Sequence, residues 1–140
     1  MQIRDATPSD VAAMYAADHM ATEEGRRRQQ IRDWVSGGKA LVAVIDDVVV
    51  GYAVLDYSFF DQGFISMLMV RKESRRQGIA TALIGHLEGR CKTAKLFTST
   101  NESNEPMRAL LQTMSYEPSG VVHNLDDGDP ELFFVKRVDG

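Results

Sequence analysis

The sequence predicts a mixed α/β fold in which helices pack on a twisted, mostly antiparallel sheet. Short β-branched apolar runs alternate with amphipathic helical segments along the chain, and tight-turn residues separate them. The predicted order is β-α-α-β-β-β-α-β-α-β-β, which gives about seven strands and four helices on both faces of the sheet. No repeat, low-complexity segment or linker interrupts this order, so residues 1–140 are predicted to form a single domain.

The N-terminal part is predicted to hold one strand and two helices. Residues 2–4 open as a short strand, and residues 7–20 carry a helix-start pattern with Thr7 as the N-cap and Pro8 at the first helical position. A second helix over residues 25–36 has an apolar stripe and is followed by two glycines that stop it.

The middle of the chain is predicted to form three strands. Residues 39–45 and 48–57 are β-branched runs separated by Asp46 and Asp47, which is typical of a hairpin. Residues 64–70 are almost continuously apolar, which indicates burial on both faces.

The C-terminal part is predicted to contain two helices and three strands. A helix from Gly78 places Ile79, Leu83, Leu87 and Cys91 on one face. A strand over residues 95–100 leads to a helix over residues 105–114. Residues 119–125 and 131–138 then form a closing hairpin.

Composition narrows the class of protein. Hydrophobic residues make up 44% and charged residues 26%, as in soluble globular proteins. A net charge of −4 argues against general nucleic-acid binding. The chain has one cysteine, no apolar leader, no apolar run long enough to span a membrane and no metal-ligand spacing. We therefore expect a cytoplasmic protein without nucleic-acid, membrane or metal partners.

The turn before the Gly78 helix carries the strongest functional pattern. A helix N-terminus leaves its first amides unpaired and bears partial positive charge, so a phosphate fits there. Gly78 keeps a side chain off the backbone, while Arg75 and Arg76 can each add charge-assisted hydrogen bonds of about 1.5–3 kcal/mol. The pattern predicts a pyrophosphate cradle; the alternative is an ordinary helix start with solvated charges.

The six residues from Arg75 to Ala80, after a strand ending at Val70, resemble the [Q/R]-x-x-G-x-[G/A] signature of the GNAT acetyltransferases. Residues 101–118 resemble the asparagine-containing strand-to-helix segment of that family. Together with the element order, the resemblance covers essentially the whole chain. It implies the GNAT fold, acetyl-CoA as donor and a primary amine as acceptor. The acetyl group would be transferred by direct attack in a ternary complex, with a small molecule favoured over a protein.

The resemblance also implies site residues. A backbone amide at Met69 or Val70 would stabilise the oxyanion, and Asn104 would lie near the cofactor arm. The full set expected to contact the cofactor is Leu68, Met69, Val70, Arg75, Arg76, Gln77, Gly78, Ile79, Ala80, Thr81 and Asn104.

The sequence departs from the family where a helix tyrosine often protonates the thiolate. Leu110 and Leu111 occupy that pair, which leaves Tyr116 as a candidate acid; the alternative is that Tyr116 packs in the core. Ser99 stands where the ribosomal-protein N-terminal acetyltransferases tend to carry a glutamate. An alternative function is therefore an acyl-CoA-binding sensor or interaction module with little catalysis.

Three surface features stay open from sequence. Residues 126–131 either attract a cationic amine or form an acidic turn, and Arg26 to Arg28 either border the acceptor site or form a salt-bridged helix surface. Residues 131–138 offer a hydrophobic edge through which a homodimer could form, although an edge can equally be covered within one chain.

Overall fold

The structure, a computed structural model, describes residues 1–139 and contains the predicted elements in the predicted order. The strands are β1 (Gln2–Asp5), β2 (Ala40–Ile45), β3 (Val48–Phe59), β4 (Gln62–Val70), β5 (Lys95–Asn101), β6 (Glu117–Val122) and β7 (Glu131–Arg137). The helices are α1 (Val11–Ala17), α2 (Arg27–Ser36), α3 (Ile79–Arg90) and α4 (Glu105–Thr113). Short 3-10 turns at Pro8–Asp10 and Lys72–Ser74 precede α1 and α3.

The strands hydrogen-bond in the order β1-β2-β3-β4-β5-β7-β6. β4 and β5 pair in parallel from Gly63 with Leu96 to Ile65 with Thr98, whereas the pairs β1–β2, β2–β3, β5–β7 and β6–β7 are antiparallel. The mixed, mostly antiparallel sheet is therefore confirmed. Of the two alternatives for residues 131–138, the covered strand is confirmed and the edge is not, because β7 lies between β5 and β6.

The chain divides into two compact units. The first consists of Met1–Leu55 and Met67–Leu87. Its core contains Met14, Ile31, Val42, Tyr52 and Met69, contributed by α1, α2, β2, β3 and β4. These residues come from the apolar stripes of the helices and the alternate positions of the strands, as the periodicity predicts.

The second unit consists of Asp56–Ser66 and residues 88–139. Its buried apolar side chains include Ile65, Leu96, Leu111, Tyr116 and Phe134. α4 begins at an asparagine cap and buries Leu111. Of the helices within residues 1–139, none has both the length and the apolar character needed to cross a membrane.

The Asp46–Asp47 hairpin is confirmed, since both residues have positive φ, 51° and 63°, as a two-residue turn requires. A second turn of this kind, at Phe60 and Asp61 with φ of 52° and 62°, joins β3 and β4. This turn was not predicted, because phenylalanine is an unusual residue for a left-handed conformation.

Two other expectations need correction. The first helix ends at Ala17 rather than residue 20, because Asp18 becomes extended and its carboxylate accepts the Met20 amide at 2.9 Å. β4 is not buried on both faces: Met69 is buried, whereas Leu68 and Val70 are only partly buried. Smaller differences concern Cys91, which lies one residue beyond α3, and β6, which begins at Glu117.

Candidate functional site

The turn between β4 and α3 has the backbone of an anion site. Arg75 is extended, Arg76 has a φ of 67° and Gly78 has a φ of 76°. The Ala82 amide donates to the Gly78 carbonyl at 3.1 Å, which closes the first turn of α3. The amides of the preceding residues, Ile79 to Thr81, have no carbonyl four residues earlier in the helix to bind. Successive free amides at the positive end of a helix make a concavity suited to phosphate.

The arginines of this turn are held by short-range contacts. The Arg75 Nε donates to the Val70 carbonyl at 3.2 Å, and the Arg71 Nε donates to the buried Ser74 hydroxyl at 2.8 Å. Because Nε is used, the terminal nitrogens of Arg75 stay available at an exposed position. Arg76 and Gln77 are also exposed. The local chain thus presents two guanidinium groups beside the free amides.

Gly78 faces open space. A Cβ built at this position meets no heavy atom within 4 Å, so the absence of a side chain is not needed for packing within the protein. The positive φ is the conformational reason for glycine here, since other residues adopt it at a cost. Both facts fit a backbone that is open to a ligand.

Met69 and Val70 lie at the end of β4, beside a glycine that the sequence analysis missed. A Cβ at Gly51 of β3 would be 2.7 Å from the Met69 carbonyl oxygen and 3.3 Å from the Val70 Cα. The Arg71 amide also donates to the Val50 carbonyl at 2.8 Å. A lone glycine inside a strand pattern indicates such a close approach, and that signal was present in the sequence.

Asn104 lies in the second unit as the N-cap of α4. Its Oδ1 accepts the Met107 amide at 3.3 Å, and its side chain is exposed. A place for Asn104 near the cofactor arm is expected from the family resemblance, whereas the helix cap is seen only in the structure. The capping contact uses Oδ1, so the Nδ2 group remains a free donor as far as the described hydrogen bonds extend.

Tyr116 is buried in the second unit and its hydroxyl is already engaged. It donates to Glu88 Oε2 at 2.8 Å, and Lys136 Nζ lies 3.0 Å from the same oxygen. Burial raises the pKa of Tyr116 far above its usual range, and the hydrogen bond to Glu88 raises it further. This environment favours the core interpretation of Tyr116.

The charged segments left open by the sequence are tied into the fold. Asp126 accepts from Asn101 at 2.9 Å, and Asp129 accepts from the amide and hydroxyl of Ser103 at 3.0 and 2.6 Å. These contacts favour an acidic turn. Arg27 pairs with the buried Asp18 at 2.8 Å, which favours a structural role for part of the arginine run.

The second unit also holds two serine–carboxylate contacts that the sequence analysis missed. Ser66 donates to Asp56, and the Ser99 hydroxyl donates to Glu131 Oε2 at 2.7 Å. Ser99 was singled out because it replaces a glutamate, yet a carboxylate from the neighbouring strand reaches it. Strand pairing was needed to find this, since the partners are far apart in sequence.

Comparison with known proteins identifies the family. The family model for acetyltransferases of the GNAT family matches residues 9–116. The crystal structure of a GNAT-family acetyltransferase from Bacillus cereus ATCC 10987 is 32% identical, with a TM-score of 0.91 over 97% of this chain and 96% of that one. A search among curated proteins gives no significant match.

More distant structures share the fold. An aminoglycoside 6'-N-acetyltransferase complexed with coenzyme A is 15% identical, with a TM-score of 0.85 over 100% of this chain and 98% of that one. The ribosomal-protein-S18-alanine N-acetyltransferase from Escherichia coli is 17% identical, with a TM-score of 0.82 over 98% and 93%. Because the family model spans most of the chain, the protein belongs to the GNAT family of acetyltransferases.

Proposed function

We propose that this protein transfers the acetyl group of acetyl-CoA to a small primary amine. The observation that carries the proposal is the turn from Arg75 to Gly78, whose positive φ angles precede the free amides of α3. This geometry suits a pyrophosphate, and the aminoglycoside acetyltransferase of the same fold was solved with coenzyme A.

Different residues of the turn would make different contacts with the cofactor. The amides of Gln77, Gly78, Ala80 and Thr81 would bind the pyrophosphate, with Ile79 buried beneath them. The guanidinium groups of Arg75 and Arg76 would neutralise its charge. Pantetheine would run along the backbone of Leu68, Met69 and Val70. For Asn104, a place near the cofactor arm stays a prediction from the family resemblance.

The reaction then needs few side chains. The neutral amine attacks the thioester carbon, a C–N bond forms, the C–S bond breaks and the ammonium proton passes to water or a base. A backbone amide of Met69 or Val70 would stabilise the oxyanion. The CoA thiolate can leave without an acid because a thiol has a pKa of about 8.5. We therefore assign Tyr116 to packing, which its contact with Glu88 supports.

The proposal is tested by ligand binding to the intact chain. Acetyl-CoA at about a hundred times its Kd should stabilise the fold by about 2.7 kcal/mol, whereas ADP should have little effect. Arg75→Ala and Arg76→Ala should each weaken acetyl-CoA binding about ten- to a hundredfold, measured by calorimetry. Arg137→Ala, which removes an exposed arginine from β7, is the matched control. Unchanged affinity in both arginine variants, an equal loss in the control, or no response of the wild type to acetyl-CoA would refute the cradle.

Turnover is a separate readout. Release of free CoA thiol that depends on both acetyl-CoA and an added amine would demonstrate transfer. Binding of acetyl-CoA without amine-dependent thiol release across a panel of primary amines would instead favour a sensor.

A further inference from the structure

A cluster of aromatic rings occupies part of the second unit. The Phe59 ring lies 5.0 Å from Phe64, 5.3 Å from Phe97 and 5.5 Å from Phe133, centroid to centroid, and it stacks on Phe133 at 20°. All four rings are partly exposed rather than buried. We call these four residues the phenylalanine platform. Apolar rings that stay partly open to solvent are a feature that a ligand can exploit.

Strand register places the platform on one face of the unit. Phe64 pairs with Phe97 across β4 and β5, and Ser99 pairs with Phe133 across β5 and β7, so these side chains point to the same side. The alternate residues of the same strands, which point to the other side, are buried: Ile65, Leu96, Thr98, Thr100 and Phe134. One face of this part of the sheet is therefore packed, and the platform face is the more open one.

A carboxylate adjoins the platform on the same face. Glu131 lies two residues before Phe133 on β7 and is partly exposed. The Ser99 hydroxyl binds its Oε2 at 2.7 Å, which orients the group and leaves Oε1 as an open acceptor within residues 1–139. No salt bridge of the described chain involves Glu131. The basic residues of this face, Lys95 and Arg137, lie at the opposite end of the β5–β7 pair, roughly 20 Å from Glu131.

Aromatic rings beside an oriented carboxylate indicate which chemical groups a ligand at this place would carry. Stacking of an aromatic ring on phenylalanine contributes about 0.5–1.5 kcal/mol in addition to the contribution from buried area. A cation is attracted both to a carboxylate and to the faces of aromatic rings. We propose that the platform binds a small primary ammonium compound with an aromatic ring, such as an arylalkylamine. The ring packs against the partly exposed rings of the platform, and the ammonium group pairs with Glu131. The assignment of this ligand as the acetyl acceptor rests on the acetyl transfer proposed above.

The test compares two amines of equal charge and similar size. In calorimetry with the full chain in the presence of CoA, 2-phenylethylamine should bind more tightly than 2-cyclohexylethylamine. Phe133→Leu should weaken 2-phenylethylamine about two- to tenfold while leaving 2-cyclohexylethylamine little changed. Glu131→Gln should weaken both amines about three- to tenfold. Leu125→Ala and Glu117→Gln make comparable changes at exposed positions outside the platform and should change neither affinity.

The outcomes separate the two proposals. Equal binding of the two amines, or a loss in Leu125→Ala as large as that in Phe133→Leu, overturns the platform. So does faster thiol release with a polar polyamine, or with a peptide that begins with phenylalanine, than with 2-phenylethylamine. If thiol release from acetyl-CoA still depends on an added amine in these cases, the acetyl transfer stands. If acetyl-CoA has no effect and no amine releases thiol, both the acetyl transfer and the acceptor role of the platform fail.

Discussion

At the scale of single residues, a side chain's partner decides its role more than its type does. A tyrosine close to the expected position of a family acid is an obvious candidate for catalysis. Tyr116, however, is buried and donates to Glu88, which also pairs with Lys136 at 3.0 Å. A hydroxyl held by an internal carboxylate is costly to redirect toward a leaving group, because Glu88 would lose a charge-assisted hydrogen bond.

Replacing Tyr116 by phenylalanine distinguishes the packing role from acid catalysis. We expect Tyr116→Phe to lower the free energy of unfolding by about 1–3 kcal/mol in urea denaturation, because Glu88 loses one of its donors. The kcat for thiol release should stay close to that of the wild type at every pH. Tyr57→Phe, which deletes a hydroxyl that accepts the exposed Lys92 amide at 3.0 Å, is the control. A hundredfold fall in kcat with unchanged stability would make Tyr116 the acid.

At the scale of helices, strands and turns, the features that depend on neighbouring residues could be predicted from the sequence. The hairpin at Asp46 and Asp47 follows from the tolerance of aspartate for positive φ. The equivalent turn has that signal only at Asp61, because its first residue is Phe60. The backbone of the turn from Arg75 to Gly78, which we propose as the pyrophosphate site, was predictable because all its parts lie within a few consecutive residues. The Ser99–Glu131 contact and the phenylalanine platform depend on the pairing of β4, β5 and β7, which residue order alone does not define.

The approach of β3 to β4 at Gly51 gives a prediction at this scale. We expect Gly51→Ala to destabilise the protein by about 1–3 kcal/mol, because the new Cβ would lie 2.7 Å from the Met69 carbonyl and the strands must shift. The same shift displaces the backbone proposed to hold the oxyanion, so kcat should fall as well. Urea denaturation and thiol release measure the two effects.

The control for Gly51→Ala is Gly85→Ala in α3. A Cβ there meets no heavy atom within 4 Å, and alanine should stabilise the helix by about 0.5–1 kcal/mol. If Gly51→Ala matched the wild type in both stability and kcat, the close approach of the two strands would be unimportant for folding and for catalysis.

At the scale of the whole molecule, the net charge is −4, and a few carboxylates that form ion pairs determine how stability changes in acid. Asp10 is the best-defined of these. It accepts two hydrogen bonds from Arg4, at 2.8 and 3.0 Å, and one from the Thr7 amide at 2.7 Å. The hydrogen bonds from Arg4 lower the pKa of Asp10 to about 2, against the opposing effect of burial.

From the lowered pKa of Asp10 we predict how the free energy of unfolding changes between about pH 4 and pH 2. The unfolded chain, in which aspartate has a pKa of about 3.9, binds the proton before the folded chain does, so stability falls as the pH falls through this window. Because Arg4 is about one-third exposed, with 37% of its side chain accessible, we expect a contribution of about 1–2 kcal/mol.

Urea denaturation from pH 6 to pH 2 should show Asp10→Asn less stable than the wild type at pH 6, with the difference shrinking toward pH 2. Arg4→Met removes the partner and should flatten the same window. A constant difference between Asp10→Asn and the wild type across this range would show that the ion pair does not govern acid stability.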